Sequence, residues 1–256
     1  MYIGLIMGKE HSQGLPGKNY MEILGRPSVE YAIMAHTNSD LLSKVFVTTD
    51  SDKIKEVANK YNVEVINRKR SLVKQDVSGL DVISHDLGLI QKEYNIDVDI
   101  LCVSFANTPQ IKPEIIDSGI KKMNENESID SAVTVSRFNS FSPVRARTIS
   151  KKGYLLPYND HISRAGQYNS SRQSLDPAYF IDWAVQLYRP RSVAWKSKPD
   201  KTKPEQNNPP WQRFGQKTLA LENEFSFDID YPWQIPVVEY WLRSNGFSKY
   251  NTPYES

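Results

Sequence analysis

The sequence is poor in cysteine: among its 256 residues only Cys102 carries a thiol, and it lies in an apolar run. One cysteine excludes an internal disulfide and fits a reducing cytoplasm. Because cysteine is among the most buried residue types, we predict that Cys102 is a structural thiol in the core.

The sequence also lacks a long apolar segment and an excess of charge of one sign. Its start, MYIGLIMGKE, has no basic leader, and the apolar run there is too short for a signal peptide or a membrane span. The 32 Lys and Arg balance the 30 Asp and Glu to a formal net charge of +2, which gives no reason to expect a nucleic-acid partner. We expect a soluble cytoplasmic protein without a membrane or nucleic-acid partner.

The first half of the chain alternates short apolar runs with amphipathic stripes, as a parallel sheet with crossover helices does. With 39% hydrophobic residues, the length suits one α/β domain or one domain with an insertion. We predict a doubly wound, mostly parallel sheet. The predicted strands are 2–7, 44–49, 63–67, 98–106 and 131–136, and the predicted helices are 28–39, 51–61, a stripe over 80–90 and a helix opened by Pro113.

The regular alternation stops near residue 140. Residues 140–215 are predicted to form an insertion of short strands and loops, and the Lys- and Pro-rich stretch 196–215 is predicted to be an exposed connection. Residues 225–247 are predicted to return to a strand, a turn and a helix from Pro232 to near Gly246.

The stretch IMGKEHSQGLPGKN, residues 6–19, runs from the first strand into a loop with glycines and lysines. In a doubly wound sheet, loops at the carboxyl ends of strands bind ligands. Glycines allow close approach of the backbone, and lysines and a serine hydroxyl suit a triphosphate. A solvated loop with incidental lysines is the alternative. The residues concerned are Gly8, Lys9, Ser12, Gly14, Gly17 and Lys18.

Two further residues follow strands at the same edge of the predicted sheet. Asp50 follows the second strand, where it can cap the next helix or lie near a bound nucleotide. Arg68 follows the third strand and can reach a phosphate, or can be an ordinary surface arginine.

The triplet Asp228-Ile229-Asp230 places two acids two residues apart. On a strand, such side chains point to the same side. Two convergent carboxylates suit Mg²⁺, which binds through one or two carboxylates and phosphate oxygens. Two solvated acids at the end of a strand are the alternative.

Taken in order, these segments resemble the acylneuraminate cytidylyltransferases, the CMP-sialic acid synthetase-like family of nucleotidyltransferases. That family opens with a loop close to Arg-x-x-Ser-Lys-Gly-x-x-x-Lys-Asn, and here KEHSQGLPGKN matches at Ser12, Gly14, Lys18 and Asn19. The stretches KVFVTTDSDKIKEVANKYNVEV, SRQSLDPAYFIDWAVQLYRP and FDIDYPWQIPVVEYWL are also similar to the family.

The resemblance implies a single nucleotidyltransferase domain over residues 1–256, with the Rossmann-like fold of nucleotide-diphospho-sugar transferases. The insertion at about 140–215 would be a small α+β segment for dimerisation and substrate binding. The implied reaction transfers CMP from CTP to an acidic sugar, a nonulosonate-like 2-keto acid, with Mg²⁺ and release of pyrophosphate. The expected assembly is a homodimer.

The resemblance also implies a role for each candidate site residue. Lys18 and Lys9 are expected to be catalytic, and Asp228 and Asp230 to bind the metal. The expected nucleotide-binding residues are Met7, Gly8, Lys9, Ser12, Gln13, Gly14, Lys18, Asn19, Asp50 and Arg68, and the expected substrate-binding residues are Asn107, Arg172, Gln173 and Asp182.

The chain departs from the family pattern in three places. In the first loop, Lys9 replaces an arginine, Gln13 replaces a lysine and Glu10 adds a negative charge. SFANTPQIKPE replaces Q-P-T-S-P-L-R, and Asp182-Trp183 stands where a glycine is usual. Two alternatives therefore stay open: the same fold with another nucleotide or acceptor, and a catalytically inactive nucleotide-binding regulatory module.

Overall fold

A computed structural model of the protein describes residues 1–12, 14–74, 76–138, 142–158, 175–193 and 214–254. Its strands are β1 (Tyr2–Met7), β2 (Glu22–Ile23), β3 (Arg26–Pro27), β4 (Lys44–Thr49), β5 (Glu64–Asn67), β6 (Ile100–Phe105), β7 (Ser131–Arg137), β8 (Arg147–Ile149), β9 (Leu155–Pro157), β10 (Tyr179–Tyr188) and β11 (Thr218–Asn223). Seven of them form one sheet in the order β11-β7-β10-β6-β1-β4-β5.

This sheet is parallel except for β10, which runs antiparallel to both of its neighbours, β6 and β7. The predicted fold class, a mostly parallel Rossmann-like sheet, is confirmed. Two small hairpins, β2–β3 and β8–β9, lie outside the sheet. Strand β10 lies within the range 140–215 that the sequence assigns to the insertion, yet it is a central member of the sheet.

The helices are α1 (Ser28–Thr37), α2 (Asp52–Lys60), α3 (Gly79–Glu93), α4 (Pro113–Glu125), α5 (Pro190–Val193) and α6 (Gln234–Ser244). Local chemistry explains where several begin. The hydroxyl of Ser78 accepts from the backbone N–H of Asp81, whose carboxylate accepts in return, so α3 opens with a capping box. Pro113 begins α4 because its missing N–H is not needed in the first turn.

The core lies on both faces of the sheet. One face packs against α1, α2 and α4, through residues such as Ile33, Ile54 and Ile120. The other packs against α3 and α5, through residues such as Ile83 and Val193. Such a sheet buried on both faces explains why its central strands are nearly continuous apolar runs.

Cys102 is fully buried in this core, as predicted. Its Sγ lies 3.5 Å from Nε2 of His36, whose Nδ1 lies 2.9 Å from the carbonyl oxygen of Ala32. Burial raises the pKa of Cys102 far above its usual range and lowers the pKa of His36 to about 4.

The strand predicted near residue 225 is wrong. The last strand, β11, lies earlier, and residues 225–230 have no regular structure. The physical reason is a different set of backbone partners: the N–H of Ile229 donates to the carbonyl oxygen of Asn107 at 2.9 Å, so the segment crosses the carboxyl edge of the sheet instead of extending it. The helix predicted from Pro232 is observed as α6.

Candidate active site

A cleft of about 240 Å³ lies at the carboxyl edge of the sheet, where the loops after β1, β5 and β6 meet. Because these strands are parallel, their loops all emerge at one edge. The cleft is lined by Met7, Gly8, Lys9, Lys18, Asn19, Arg68, Leu72, Val73, Lys74, Val77, Gly79, Val82, Phe105, Asn107 and Asp228. Eight of the predicted site residues are therefore brought together.

The first loop is closed by the side chain of Asn19. This side chain is buried, and its Nδ2 donates to the carbonyl oxygen of Lys9 at 2.7 Å. The hydroxyl of Ser28 donates to the carbonyl oxygen of Lys18 at 2.6 Å. These bonds fix both ends of the loop, so that Lys9 and Lys18 face the same cleft.

The glycines of this loop differ in why they are needed. A Cβ on Gly8 would lie 2.8 Å from side-chain atoms of Ala106 and Ile54, so the glycine is required by packing. Gly17 has a φ of +75°, which favours glycine. At Gly14 a Cβ would meet only the carbonyl oxygen of Asp230, at 3.9 Å, so that position has room for a ligand.

Glu10 points toward the connection between β4 and α2. Its backbone N–H donates to Oδ1 of Asp50 at 2.9 Å, and its carboxylate accepts from the hydroxyl of Ser51. A hydrogen bond to Glu10 is also the main reason why the pKa of Tyr20 is raised. The negative charge of Glu10 is thus used to attach the loop, and Glu10 is not among the residues that line the cleft.

Asp50 takes part in the same attachment. The N-cap residue of α2 is Ser51, whose side chain makes no capping bond, so Asp50 does not cap this helix. Asp50 is also absent from the lining of the cleft. The geometry supports a positioning role for Asp50, through the first loop, in place of direct nucleotide binding.

The two acids lie opposite the first loop. Nζ of Lys18 lies 2.5 Å from Oδ1 of Asp230, and the lysine side chain is only 14% exposed. Burial and the neighbouring Asp230 carboxylate raise the pKa of Asp228, and Lys18 partly opposes this. The carboxyl groups therefore converge as predicted, although the segment is not a strand.

Hydrogen bonds from two sides hold the acid segment in place. Nδ2 of Asn107 donates to the carbonyl oxygen of Ile229 at 3.1 Å, in addition to the backbone bond between these residues. The backbone N–H groups of Asp230 and Tyr231 both donate to Oε1 of Gln234 at 2.7 Å. Asn107, predicted to bind substrate, lines the cleft but has its amide committed to this segment.

Arg68 lines the same cleft as Asp228. Its Nη2 donates to the carbonyl oxygen of Thr48 at 2.9 Å. Burial lowers the pKa of Arg68, and the charges of Asp86 and Asp50 oppose the shift. Asp86 is fully buried on α3, and its Oδ1 accepts from His85 at 2.8 Å when the Nδ1 of that ring carries the proton.

The remaining predicted residues do not reach the cleft or cannot be placed. Asp182 is buried and accepts hydrogen bonds from Thr134, Ser136 and Asn223, so its predicted contact with substrate is not supported. Ser12 is half-buried in the first loop and is not part of the lining. Gln13, Arg172 and Gln173 lie outside the described residues.

Sequence reasoning missed Lys74 and the apolar wall of the cleft. This wall consists of Leu72, Val73, Val77, Val82 and Phe105. The available signal was the stretch SLVKQDVSGL, which follows the third strand and must therefore lie at the ligand-binding edge. Together with Lys9, Lys18 and Arg68, Lys74 brings the cationic side chains in the described lining of the cleft to four.

The arrangement is suited to a nucleoside triphosphate. The apolar wall can take a base and ribose, the cations can contact phosphates, and the acids stand beside Lys18 at one end. The fold and this cleft define a nucleotide-binding α/β protein of the nucleotidyltransferase type. The chain belongs to the cytidylyltransferase family, whose model, described as "Cytidylyltransferase", matches residues 3–191.

Curated relatives agree with this assignment. The chain is 23% identical over 195 residues to the pseudaminic acid cytidylyltransferase and UDP-2,4-diacetamido-2,4,6-trideoxy-beta-L-altropyranose hydrolase of Helicobacter pylori, covering 76% of this chain and 35% of that protein. It is 25% identical over 239 residues to N-acylneuraminate cytidylyltransferase A of Danio rerio, covering 92% and 49%. The chain thus spans between a third and a half of these relatives. The predicted resemblance is confirmed.

A solved structure shares the fold. CMP:2-keto-3-deoxy-manno-octonic acid synthetase, complexed with CTP, superposes with a TM-score of 0.67 at 14% identity, covering 95% of this chain and 98% of that one. Among the described helices of the present protein, none is long and apolar enough to cross a membrane.

Proposed function

We propose that the protein transfers CMP from CTP to an acidic nonulosonate-like 2-keto sugar and releases pyrophosphate. The observation that carries the proposal is the contact between Lys18 and Asp230, which joins the first loop to the acid pair at one end of the cleft. The names of the two relatives support this acceptor class.

The cationic side chains supply most of the catalysis in this scheme. Attack on the α-phosphate increases negative charge on its oxygens and on the leaving pyrophosphate. Lys9 and Lys18 are held in place before the reaction by the closed loop, so they stabilise this charge without reorganisation. The acids and Asn19 restrict the loop to one arrangement. Among the described residues no histidine lines the cleft, and the scheme assigns none as a base.

Mg²⁺ fits Asp228 and Asp230. Burial and, after it, the neighbouring charge of Asp230 raise the pKa of Asp228, and a divalent cation would relieve the repulsion between the two carboxylates. Mg²⁺ is usually held by one or two carboxylates, with water and phosphate oxygens as its other ligands, so two acids are enough protein ligands. When bound, the ion would neutralise phosphate charge and lower the pKa of the attacking hydroxyl.

Metal binding is testable without turnover. Mg²⁺ titrated into the wild-type protein with CTP should raise the melting temperature, whereas Asp228→Asn should abolish this shift. The same variant without ligand should melt at a higher temperature than wild type, because one of two repelling carboxylates is removed. A metal shift that persists in Asp228→Asn would place the ion elsewhere.

The function itself is tested by pyrophosphate release. Each of the four ribonucleoside triphosphates is combined with a panel of acidic 2-keto sugars, with and without Mg²⁺. We expect release with CTP and one or more nonulosonates. Turnover with another triphosphate or acceptor would favour a different transfer on the same fold. CTP binding without turnover on any acid would favour the inactive regulatory module.

A homodimer in the cytoplasm completes the proposal. The sequence resemblance implies the dimer, and the single buried thiol is compatible with a reducing compartment. Arg172 and Gln173 stay predicted contacts of the acceptor.

A further inference from the structure

The short loop between β6 and α4 contacts both halves of the candidate site. The backbone N–H of Ala106 donates to the carbonyl oxygen of Met7 at 2.9 Å, where the first loop begins. The next residue, Asn107, makes two hydrogen bonds with Ile229, which lies between the two acids. Its carbonyl oxygen accepts from the backbone N–H of Ile229 at 2.9 Å, and its Nδ2 donates to the carbonyl oxygen of Ile229 at 3.1 Å. One loop therefore sets the position of the acids relative to the first loop.

This β6–α4 loop is itself held in one conformation. The hydroxyl of Thr108 donates to the carbonyl oxygen of Phe105 at 2.6 Å, and the backbone N–H of Thr108 donates to the same oxygen at 3.1 Å. The side chain of Asn107, at the centre of this turn, belongs to a residue that is only 4% exposed. Because the turn and its amide are both fixed, Asn107 can hold another segment in place.

The acid segment depends on such bonds, because it has no strand or helix partners of its own. Ile229 is fully buried, which anchors the segment between the acids. On the α6 side, the backbone N–H groups of Asp230 and Tyr231 donate to Oε1 of Gln234, both at 2.7 Å. Nε2 of Gln234 donates to the carbonyl oxygen of Asp228 at 3.3 Å. Two side-chain amides, one from each side, thus fix the backbone of the acid pair.

Fixed acids matter for a divalent cation. Two carboxylates of like charge repel each other, and a segment without regular structure would allow them to separate. Mg²⁺ requires nearly ideal octahedral geometry, so a site with only two protein ligands depends on where these ligands stand. Residues that orient metal ligands without touching the metal typically change metal affinity by about 10- to 100-fold.

We propose that Asn107 and Gln234 are positioning residues, which hold Asp228 and Asp230 at the separation that a divalent cation needs. Asn107 then acts through the acids and not on the acceptor, in place of the substrate contact that the sequence predicts for it. This inference rests on the Mg²⁺ site of the proposed function. It does not depend on which acid the enzyme uses.

The test compares Asn107→Leu with Gln110→Leu. Gln110 is the matched control because it is buried in the same loop, and its Nε2 donates to the carbonyl oxygen of Phe225 at 3.1 Å, upstream of the acids. Mg²⁺ is titrated into each protein at a fixed CTP concentration, and the midpoint of the rise in melting temperature is measured. We expect Asn107→Leu to raise this midpoint about tenfold or more, and Gln110→Leu to change it less than about twofold.

Turnover supplies a second readout that separates positioning from substrate binding. If Asn107 acts through the acids, saturating Mg²⁺ should restore most of the kcat of Asn107→Leu, and KM for the acid should stay near the wild-type value. A rise in KM for the acid that saturating Mg²⁺ does not reverse overturns the inference and supports the direct contact.

The remaining outcomes also decide. An unchanged midpoint in folded Asn107→Leu overturns the inference, and so does an equal rise in Gln110→Leu, which would mark a purely structural role. If Asn107→Leu does not fold, Gln234→Leu replaces it and should raise the midpoint in the same way. The melting titration contains no acceptor, so a wild-type protein that is inactive on every acid refutes the proposed transfer but not this inference. A wild-type protein without any Mg²⁺ shift refutes the metal site and this inference together.

Discussion

At the scale of single residues, the proposed reaction depends most on the contact between Lys18 and Asp230. We expect Lys18→Ala to lower the rate of pyrophosphate release on the order of 10²-fold, the typical effect of removing one preorganised electrostatic contact. The measurement is steady-state release with CTP, acceptor and Mg²⁺. Asp230→Ala should cause a loss of the same order.

Lys121→Ala is the matched control for this experiment, because Lys121 is exposed on α4. A Lys18→Ala enzyme with wild-type turnover would contradict the assignment of the first loop. A higher KM with an unchanged kcat would show that Lys18 stabilises the bound substrate and the transition state equally.

His36 should make stability depend on pH. It is fully buried, and burial lowers its pKa from 6.5 to about 4, so the folded protein holds it neutral. The unfolded chain takes up a proton below pH 6.5, and stability is therefore lost as pH falls from about 6.5 to 4. The full effect is about 3 kcal/mol. Denaturant unfolding over this range should show a smaller pH slope for His36→Gln than for wild type. Equal slopes would contradict the burial of a neutral ring.

At the scale of elements, the attachment of the first loop to the β4–α2 connection should control nucleotide affinity. Asp50→Ala removes the acceptor for the N–H of Glu10. Loss of one such hydrogen bond corresponds to about a 3- to 10-fold change in affinity. We therefore expect KM for CTP to rise by this factor, with little change in kcat.

Asp50→Asn separates positioning from direct binding. Asparagine keeps the side-chain oxygen that accepts from Glu10 but carries no charge, so this variant should behave like wild type. If asparagine and alanine have equal effects, the charge of Asp50 matters, and the direct nucleotide contact that the sequence suggested would be the better interpretation.

The elements themselves were largely predictable, for a physical reason. Alternation of apolar runs and amphipathic stripes reports local periodicity, and β4 was predicted at its observed bounds. The segment around Asp228 was not, because its backbone partner, Asn107, lies more than a hundred residues away. The role of Asp182 was also not predictable. Its carboxylate accepts four hydrogen bonds from residues of β7, β10 and β11, which are brought together only by the fold.

The candidate site could be predicted where one loop contains a recognisable sequence motif. It was missed where the loop contains none. The glycines and lysines of the first loop indicated a ligand-binding loop, whereas the residues around Lys74 form no recognisable motif. From the sequence, Glu10 is only an added negative charge in a loop expected to bind a triphosphate. Its actual direction, toward Ser51, depends on tertiary contacts that a sequence pattern does not contain.

At the scale of the whole molecule, the hairpin of β8 and β9 is the part of the described chain that most requires a partner. Ile149 and Leu155 are paired across it and are 72% and 71% exposed, and Tyr154 and Tyr158 are exposed to a similar extent. Two strands alone are marginally stable in water, and burying each such side chain contributes about 1.5–3 kcal/mol. A second copy of the chain would supply this burial, in agreement with the proposed homodimer.

We therefore expect the purified wild-type protein to be a dimer by light scattering after gel filtration, and the double variant Ile149→Lys, Leu155→Lys to be a monomer with unchanged helix content. Tyr250→Lys is the control, since Tyr250 is 79% exposed at the other end of the chain and lies outside the hairpin. A dimer that survives both lysines would show that the interface lies elsewhere. If the monomer keeps the wild-type KM for CTP but loses turnover with the acid, the partner is needed for the acceptor and not for the nucleotide, since the cationic side chains proposed to contact the phosphates all come from one chain.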